Sequence, residues 1–488
     1  MSPDLEAAAS ALAQWRLADV LAPLERAANA ESADPLHWKR VREIASGIGD
    51  DDLALLAARR LLAMAPKDPS RRAMVADLLS ETGATRDALE ITRKLLEESP
   101  QHPLLPLAMA IQLGRLGRRD DALRSLRLAI RRSPQSAVAW ENLANLSTFC
   151  PGDPHLLELE KLAQASGERP EAAGFAYALA KAYDDIGDID RAFEWFTRGS
   201  TRVLNKRLPR MDSLLREAQE VCAAFPSGRL AAGAASDCPA RPILVIGCPR
   251  SGTTLLERIL ATAPSAISGG ELKLLRLACL GFTPPSPGRV EDYVRHSGGE
   301  SAAWSRVADT YVRKLRNRFG QADAVIDKGL VNYLYVGALA LGLPNARIIH
   351  VRRDPMDVAW SCYRRRFHAG LNWTYHFESI AAFLSVYEGM ATYWTRSLPG
   401  RILTVDFERF VSDAEVETAR IFEFAGLERP ADWRSFHEKT GVVLTASQLQ
   451  VRRPLNADGV GAWRRYEKHL GPLKDALRRY GVLGATAL

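Results

Sequence analysis

A glycine-rich turn near the middle of the chain has the residue types and spacing to bind an anion. The stretch VIGCPRSGTTLLERIL (245–260) starts in a short apolar run and ends in apolar positions at helical spacing. Gly247 and Gly252 are separated like the two glycines of the triphosphatase motif G-x-x-x-x-G-K-[ST], but Thr253 stands where that motif has lysine. The turn therefore predicts an oxyanion site without the group that reaches a γ-phosphate.

The donors of this turn suit a phosphosulfate. Backbone amides of residues 249–254 and the positive end of the following helix predict an anion nest. Because a sulfuryl group carries less charge than a terminal phosphoryl group, its transfer can proceed with fixed donors, and we expect no metal. The residues expected to bind the anion are Arg250, Ser251, Gly252, Thr253 and Thr254.

A second anion site is predicted after the apolar stretch RIIHV (347–351). Ser361 and Arg365 are four residues apart, so they share one face of the helix that follows this stretch. Arg353 stands at the strand end where that face begins. Two guanidinium groups and a hydroxyl form a phosphate clamp, and two clamps at neighbouring strand ends fit a nucleotide with phosphates at both ends.

Together these motifs resemble the sulfotransferase family that uses 3′-phosphoadenosine-5′-phosphosulfate (PAPS), over residues of about 241–470. PRSGTT resembles the family's 5′-phosphosulfate loop, in which Arg250 matches the basic residue and Thr253 and Thr254 match donors to the 5′-phosphate. The R-x7-S pattern of the second site resembles the 3′-phosphate site. The resemblance implies PAPS as sulfuryl donor and adenosine 3′,5′-bisphosphate as product.

The resemblance is closest to tyrosylprotein sulfotransferases and to bacterial sulfotransferases fused to repeats. It rests on PRSGTTLLERIL followed by GGEL (269–272), and on the tail pattern S-x-x-Q-V-x-x-P (447–454). It implies Glu271 as general base for the acceptor hydroxyl, Lys328 beside the sulfuryl group, and Ser447 closing over the cofactor; with Arg250 these are the expected catalytic residues. Protein tyrosine is the favoured acceptor, with a glycan, small alcohol or phenol left open.

Other roles for these residues stay open. Glu271 could form an ion pair with Lys273, Arg276 or another surface cation, and His368 or His376 could then act as the base. The segment VDFE (405–408) resembles the family's V-x-Y-E but has phenylalanine in place of tyrosine, which removes a hydroxyl contact.

Two other classes of function also stay open. A kinase or nucleotide triphosphatase could use Asp327 as a metal-binding carboxylate, although the loop lacks its lysine. A repeat scaffold with an inactive transferase domain is the second alternative, against which the complete set of site residues argues.

The elements that must position these residues alternate along the second half of the chain. Strands are expected at 243–247, 265–268, 324–327, 347–351 and 402–405, with helices between them. This order predicts an α/β domain of P-loop type with a parallel sheet, whose ligands bind at the carboxyl ends of the strands.

The first half of the chain is a repeat with a period of 34 residues. Glycines (49, 83, 117), alanines (54, 88, 122) and prolines (66, 100, 134) recur at that period. The pattern resembles the tetratricopeptide repeat and predicts an α-helical solenoid of about five or six helix pairs. We therefore expect repeats over 1–205, a linker over 206–240, whose end is rich in Ala, Gly, Ser and Pro, and a sulfotransferase domain over 241–488.

The repeats are expected to present an acceptor protein or peptide on their concave face, or to mediate a homodimer. The alternative is that helices around 171–225 support the catalytic domain.

The composition argues against some classes of partner and location. A net charge of +7 among 65 basic and 58 acidic residues does not favour nucleic acid as a partner. No apolar run approaches the roughly 20 residues of a membrane span. The six scattered cysteines and the lack of a signal sequence lead us to expect a cytoplasmic protein.

Overall fold

The first half of the computed structural model is a stack of helices. The structure describes residues 2–167, 169–204, 211–233, 236–322, 324–367, 371–439, 441–444 and 450–484. Neighbouring helices pack in antiparallel pairs, as the repeat predicts. The helices of this half are α1 Pro3–Ala13, α2 Leu21–Asn29, α3 Pro35–Ile48, α4 Asp51–Met64, α5 Pro69–Glu81, α6 Thr85–Glu98, α7 Leu105–Arg115, α8 Arg119–Arg132, α9 Ala137–Leu146, α10 Pro154–Ala165, α11 Ala173–Asp185 and α12 Ile189–Leu204.

The recurring residues explain this stack. Gly49, Gly83 and Gly117 all have a positive φ (82°, 90° and 78°), a conformation that glycine adopts at no steric cost and that ends one helix of each pair. The recurring alanines, such as Ala54 and Ala88, are fully buried because the paired helices approach closely there. The predicted solenoid is confirmed.

The second half is a five-stranded parallel sheet between helices. The strands are β1 Ile243–Gly247, β2 Ala266–Gly270, β3 Ala324–Asp327, β4 Arg347–Arg352 and β5 Ile402–Asp406, in the order β2-β3-β1-β4-β5. The remaining helices are α13 Met211–Ala224, α14 Ser227–Ala231, α15 Thr253–Leu260, α16 Leu274–Ala278, α17 Pro287–Ser297, α18 Glu300–Phe319, α19 Val336–Gly342, α20 Pro355–Tyr363, α21 Phe377–Ser397, α22 Phe407–Ser412, α23 Ala414–Ala425 and α24 Gly471–Arg479. The predicted α/β fold is confirmed.

The first repeats pack against the α/β half of the chain. One cluster of buried apolar side chains contains residues of α1 to α4 together with residues of the sheet, α18 and α19. A buried ion pair joins Lys314 Nζ to Asp50 Oδ2 at 2.5 Å, and Arg276 donates to the carbonyl of Ile48 at 2.8 Å. This end of the solenoid is therefore part of the core of the α/β half.

The last repeats dock in the same way on the other side. Side chains of α8 to α12 share a second core with α20, α21 and α24. The Tyr177 hydroxyl donates to the carbonyl of Tyr363 at 3.3 Å, and Ser200 donates to the carbonyl of Tyr375. Both ends of the solenoid are anchored, which supports the expectation that helices near 171–225 support the α/β domain.

The segment 206–240, predicted as a linker, differs from that prediction over its described part. Its helices α13 and α14 pack on α17, α19 and α21. Between them, Phe225 is fully buried among the rings of Phe282, Trp304 and Trp394. The small residues and prolines indicated a flexible connection, but the apolar side chains spaced among them form a helical core face.

Among the residues with a described position, no helix combines the length and apolar character that crossing a membrane requires.

Candidate active site

A cleft of about 560 Å³ opens at the carboxyl edge of the sheet. Residues that follow each of the five strands line it, together with α20 and the tail segment 450–462. Its size is that of ordinary small-molecule sites. The lining residues that follow the strands are Arg250, Gly252, Thr253 and Thr254 after β1, Glu271 after β2, Leu330 after β3, Arg353 after β4 and Phe407 after β5.

The loop after β1 has the strained backbone of an anion nest. Arg250 and Gly252 both have positive φ, 73° and 105°, so the chain turns sharply before α15 begins at Thr253. A Cβ atom on Gly252 would lie 2.4 Å from the Phe407 ring, so this position accepts glycine alone. Thr253 and Thr254, at the start of α15, line the cleft, so the positive end of that helix lies at its wall.

Ser251 differs from the other loop residues. Its amide donates to the carbonyl of Cys248 at 3.0 Å, and its side chain lines a small separate cavity of about 20 Å³ behind the loop. The predicted contribution of Ser251 to the anion site therefore does not come through a side chain in the larger cleft.

Arg250 joins the two predicted anion motifs. Its Nε donates to Ser361 Oγ at 2.9 Å and its Nη2 donates to Gln450 Oε1 at 2.9 Å. Its carbonyl accepts a hydrogen bond from Arg353 Nη1 at 2.9 Å. The loop after β1, the end of β4 and helix α20 thus meet at one point, although the residues are more than one hundred positions apart in sequence.

Partly buried arginines lie close together in this part of the cleft. Burial lowers the pKa of Arg250, and the neighbouring charge of Arg365 lowers it further. Burial also lowers the pKa of Arg353 and of Arg365, and the charge of Arg364 acts in the same direction on both. An anion among these groups would stabilise their charged forms, so the site favours binding one.

Glu271 and Lys328 form an ion pair beside the loop. Lys328 Nζ lies 2.9 Å from Glu271 Oε1. The side chain of Lys328 is 2% exposed and that of Glu271 is 32% exposed, so the carboxylate faces the cleft while the ammonium lies behind it. Lys273 and Arg276, the alternative partners, bond to residues of the first repeats instead.

Comparison with known proteins identifies the second half of the chain. Residues 242–431 match the sulfotransferase family. This segment is a sulfotransferase-family domain. It contains all five strands and most of the residues that line the cleft.

Three similar proteins were compared. An uncharacterized protein of Aquifex aeolicus (strain VF5) is 29% identical over 253 residues, which are 49% of this chain and 32% of that protein. This chain therefore spans about a third of that relative's length. A putative protein-tyrosine sulfotransferase of Caenorhabditis briggsae is 26% identical over 228 residues, 45% of this chain and 80% of that protein. The sulfotransferase domain of the Synechococcus PCC 7002 olefin synthase is 20% identical, covering 47% of this chain and 89% of that domain, with a TM-score of 0.35.

Glu257 positions the loop that carries Glu271. It is buried in α15, and its Oε1 accepts hydrogen bonds from Ser268 Oγ at 2.6 Å and from the amide of Gly270 at 2.7 Å. These bonds fix the end of β2, directly before Glu271. Sequence reasoning missed Glu257; its signal was a carboxylate among the apolar residues of LLERIL.

Asp327 supports the other side of the ion pair. It is fully buried and accepts hydrogen bonds from the Tyr311 hydroxyl (2.7 Å), the Gly329 amide (2.9 Å) and Asn332 Nδ2 (2.8 Å). Burial raises its pKa to about 6. Because its oxygens are used to shape the loop that carries Lys328, Asp327 is not placed as a metal-binding carboxylate of a kinase. Within the described ranges, no cluster of His, Cys, Asp or Glu could hold a metal ion.

Phe407 stands where the V-x-Y-E pattern has tyrosine, and its ring makes contacts of a different kind. The Arg353 guanidinium lies 4.5 Å from the centre of its ring, a distance typical of a cation–π contact. The ring also packs against Gly252. The lost hydroxyl contact is thus accompanied by a stacking contact that holds Arg353 in the cleft.

The remaining predicted residues lie in different places. Arg364, rather than Arg365, lines the cleft of the sulfotransferase domain; Arg365 lines a neighbouring cavity of about 210 Å³ between this domain and the repeats. Ser447 and His368 lie outside the described residues. His376 is described and is not among the residues that line the cleft.

Proposed function

We propose that this protein transfers a sulfuryl group from PAPS to a hydroxyl acceptor. The observation that carries the proposal is that one cleft contains the anion loop, the Arg353–Ser361 pair and the Glu271 carboxylate. These groups come from different strands, and each suits a different part of the same reaction. The family match of residues 242–431 supports the chemistry, and the donor and acceptor are our inference.

The residues of the cleft fit PAPS. The helix start at Thr253 suits the phosphosulfate end of the donor, and the buried arginines suit the 3′-phosphate. Arg353 Nε is buried and has no hydrogen-bond partner among the described residues, so a charged ligand there would satisfy it. Between these two ends, Trp360, Phe367 and Leu371 provide an apolar wall for an adenine base.

The proposed reaction is an in-line displacement at sulfur. Glu271 takes the proton of the acceptor hydroxyl, whose oxygen forms a bond to sulfur as the bond from sulfur to the phosphate oxygen breaks. PAPS, when bound, supplies the sulfuryl group and a stable leaving group. Arg250 and the amides at the start of α15 stabilise the negative charge that develops on the leaving oxygen.

The ion pair of Glu271 and Lys328 takes part both in proton removal from the acceptor and in charge stabilisation on the donor. While Glu271 is a carboxylate, it holds Lys328 Nζ at 2.9 Å. Once Glu271 gains the proton, its attraction for the ammonium falls, and Lys328 can donate to the oxygen that gains charge. Proton removal from the acceptor and charge stabilisation on the donor are thereby coupled in one pair of side chains.

We infer that the acceptor is a phenolic hydroxyl, with protein tyrosine favoured. Leu255 and Leu330 line the cleft that contains Glu271, and an apolar lining accommodates an aromatic ring better than a glycan. The similarity to a putative protein-tyrosine sulfotransferase supports the same acceptor. A panel of a tyrosine peptide, a simple phenol and a sugar tests this, and a preference for the sugar would contradict it.

Replacing Arg353 by alanine should weaken adenosine 3′,5′-bisphosphate far more than adenosine 5′-phosphate. A charged hydrogen bond to phosphate is worth roughly 1.5–3 kcal/mol, so the loss should be about 10-fold or more. Calorimetric titration of both ligands in EDTA measures it. Ser361→Ala should show the same selectivity with a smaller loss.

The matched control for this experiment is the adjacent Arg352. Its side chain is 55% exposed and pairs with Asp406 at 2.7 Å, away from the cleft. Arg352→Ala should leave both affinities unchanged. Equal losses for both ligands in Arg353→Ala would show that this residue does not contact the 3′-phosphate.

A further inference from the structure

Three consecutive arginines join the sulfotransferase domain to the last repeats. A run of charges such as RRR at 364–366 is typical of a solvated face, but each of these arginines contacts a polar residue of α9 or α11. The pairs are Arg364 with Asp184 (3.5 Å between Nη1 and Oδ2), Arg365 with Asn145 (2.9 Å from Nη1 to Oδ1) and Arg366 with Glu141 (2.8 Å from Nε to Oε2).

This arginine run also forms the border of the donor cleft. Arg364 lines the cleft, and it lines the interdomain cavity as well. Arg250 and Ser361, which are hydrogen-bonded to each other, line both spaces in the same way. The sequence predicted that Ser361 and Arg365 share a helix face, but α20 ends at Tyr363 and Arg365 lies beyond it. Both residues line the interdomain cavity, so a contact that fixes Arg365 acts next to the Arg250–Ser361 pair.

We propose that the last repeats are a working part of the donor site: Asp184 positions Arg364, which lines the cleft, for the second phosphate of the nucleotide, and Asn145 positions Arg365 behind the Arg250–Ser361 pair. This inference rests on the proposed function, because the second phosphate is that of PAPS. The repeat residues act through the arginines and are positioning residues.

The chemistry of the two repeat side chains fits this role. Asn145 is neutral, so its hydrogen bond orients the Arg365 guanidinium without reducing its charge. Asp184 also accepts from the Tyr466 hydroxyl at 2.7 Å and pairs with Arg465 at 3.3 Å, in the 3-10 helix Ala462–His469. Asp184 therefore fixes Arg364 and the end of the tail segment that covers the cleft.

The charges of the arginines also support a link between the repeats and nucleotide binding. The charge of Arg365 is the largest contribution after burial to the lowered pKa of Arg250. Bringing these cations together is unfavourable until an anion binds between them. Contacts from the repeats that keep the cations in place therefore contribute to binding of a doubly phosphorylated nucleotide more than to binding of a singly phosphorylated one.

The test uses the full chain with Asn145→Ala. Calorimetry with adenosine 3′,5′-bisphosphate and with adenosine 5′-phosphate is carried out first on the unchanged protein; if it binds neither, the proposed function itself fails. If it binds, Asn145→Ala should weaken the bisphosphate by about 10-fold and leave the monophosphate nearly unchanged, since a hydrogen bond to a charged group is removed.

A second variant distinguishes the effect of the hydrogen bond at residue 145 from the effect of a charge there. Asn145→Asp keeps an acceptor for Arg365 but places a negative charge beside it, so it should also weaken the bisphosphate selectively. An unchanged ratio of the two dissociation constants in either folded variant would overturn the inference, as would an equal loss for both ligands.

The control lies at the opposite end of the solenoid. Asp50→Asn removes the carboxylate that pairs with Lys314 in a more deeply buried contact between the repeats and the α/β half. It should lower the melting temperature while leaving the ratio of the two dissociation constants unchanged. A change in that ratio would mean that any weakening of domain packing alters the site, and would overturn a specific role for Asn145.

Discussion

Replacing Glu271 by glutamine should lower the rate of sulfuryl transfer by about 10²-fold or more. Glutamine keeps the size and a polar contact to Lys328 but cannot take the acceptor proton. The affinity for adenosine 3′,5′-bisphosphate should stay unchanged, because Glu271 lies apart from both phosphate-binding groups. Single-turnover transfer from PAPS, together with calorimetry of the nucleotide, measures both effects.

The control for Glu271→Gln is Asp51→Asn, which changes the carboxylate that pairs with Lys273 near the first repeats. This pair lies outside the residues that line the cleft, so the transfer rate should remain that of the unchanged protein. A near-normal rate in Glu271→Gln would place the base elsewhere, and His376 and His368 would be the next residues to change.

A chain that begins near residue 236 should not give a folded, nucleotide-binding protein. Such a chain lacks α1 to α14 and exposes apolar side chains of the sheet, α18 and α21 that these helices cover. Loss of one buried phenylalanine costs about 3–5 kcal/mol, against a total stability of about 5–15 kcal/mol for a domain. Phe225 is only one of the side chains removed. Soluble yield and far-ultraviolet circular dichroism measure the outcome.

Phe225→Ala in the full chain tests the same packing by removing a single buried side chain. It should lower the melting temperature and leave the ratio of the two nucleotide affinities unchanged, because Phe225 lies among Phe282, Trp304 and Trp394, away from the cleft. A truncated protein that is soluble, folded and binds adenosine 3′,5′-bisphosphate like the full chain would contradict a structural role for the repeats.

The parts of the molecule that depend on local pattern were predictable from sequence. The five strands lie within two residues of their expected positions because each is a short apolar run between turn residues. The 34-residue period predicted the helix pairs because each turn needs a glycine with positive φ. The anion loop was predictable because its glycines and threonines are adjacent in sequence.

The parts that depend on distant contacts were not predictable. The run 364–366 looks like a solvated face until α9 and α11 are placed beside it, and the contact from Arg366 to Glu141 spans 225 residues. Glu257 and Asp327 likewise show their roles only when β2 and β3 bring the loops after them together. Arg365 was predicted to belong to the phosphate clamp because it follows Ser361 by four residues. That spacing does not reveal that the Arg365 side chain donates to Asn145.

The central claim is that this protein transfers a sulfuryl group from PAPS to a hydroxyl acceptor. The most direct test is incubation of the full chain with sulfur-labelled PAPS and a lysate of its source organism in EDTA. The products are then separated, and both the label and the nucleotide are followed. We expect label on a hydroxyl-bearing acceptor and an equal amount of adenosine 3′,5′-bisphosphate, with both slowed in Glu271→Gln. Failure to transfer label, together with transfer of the γ-phosphate of ATP in a parallel incubation with Mg²⁺ in place of EDTA, would contradict the account.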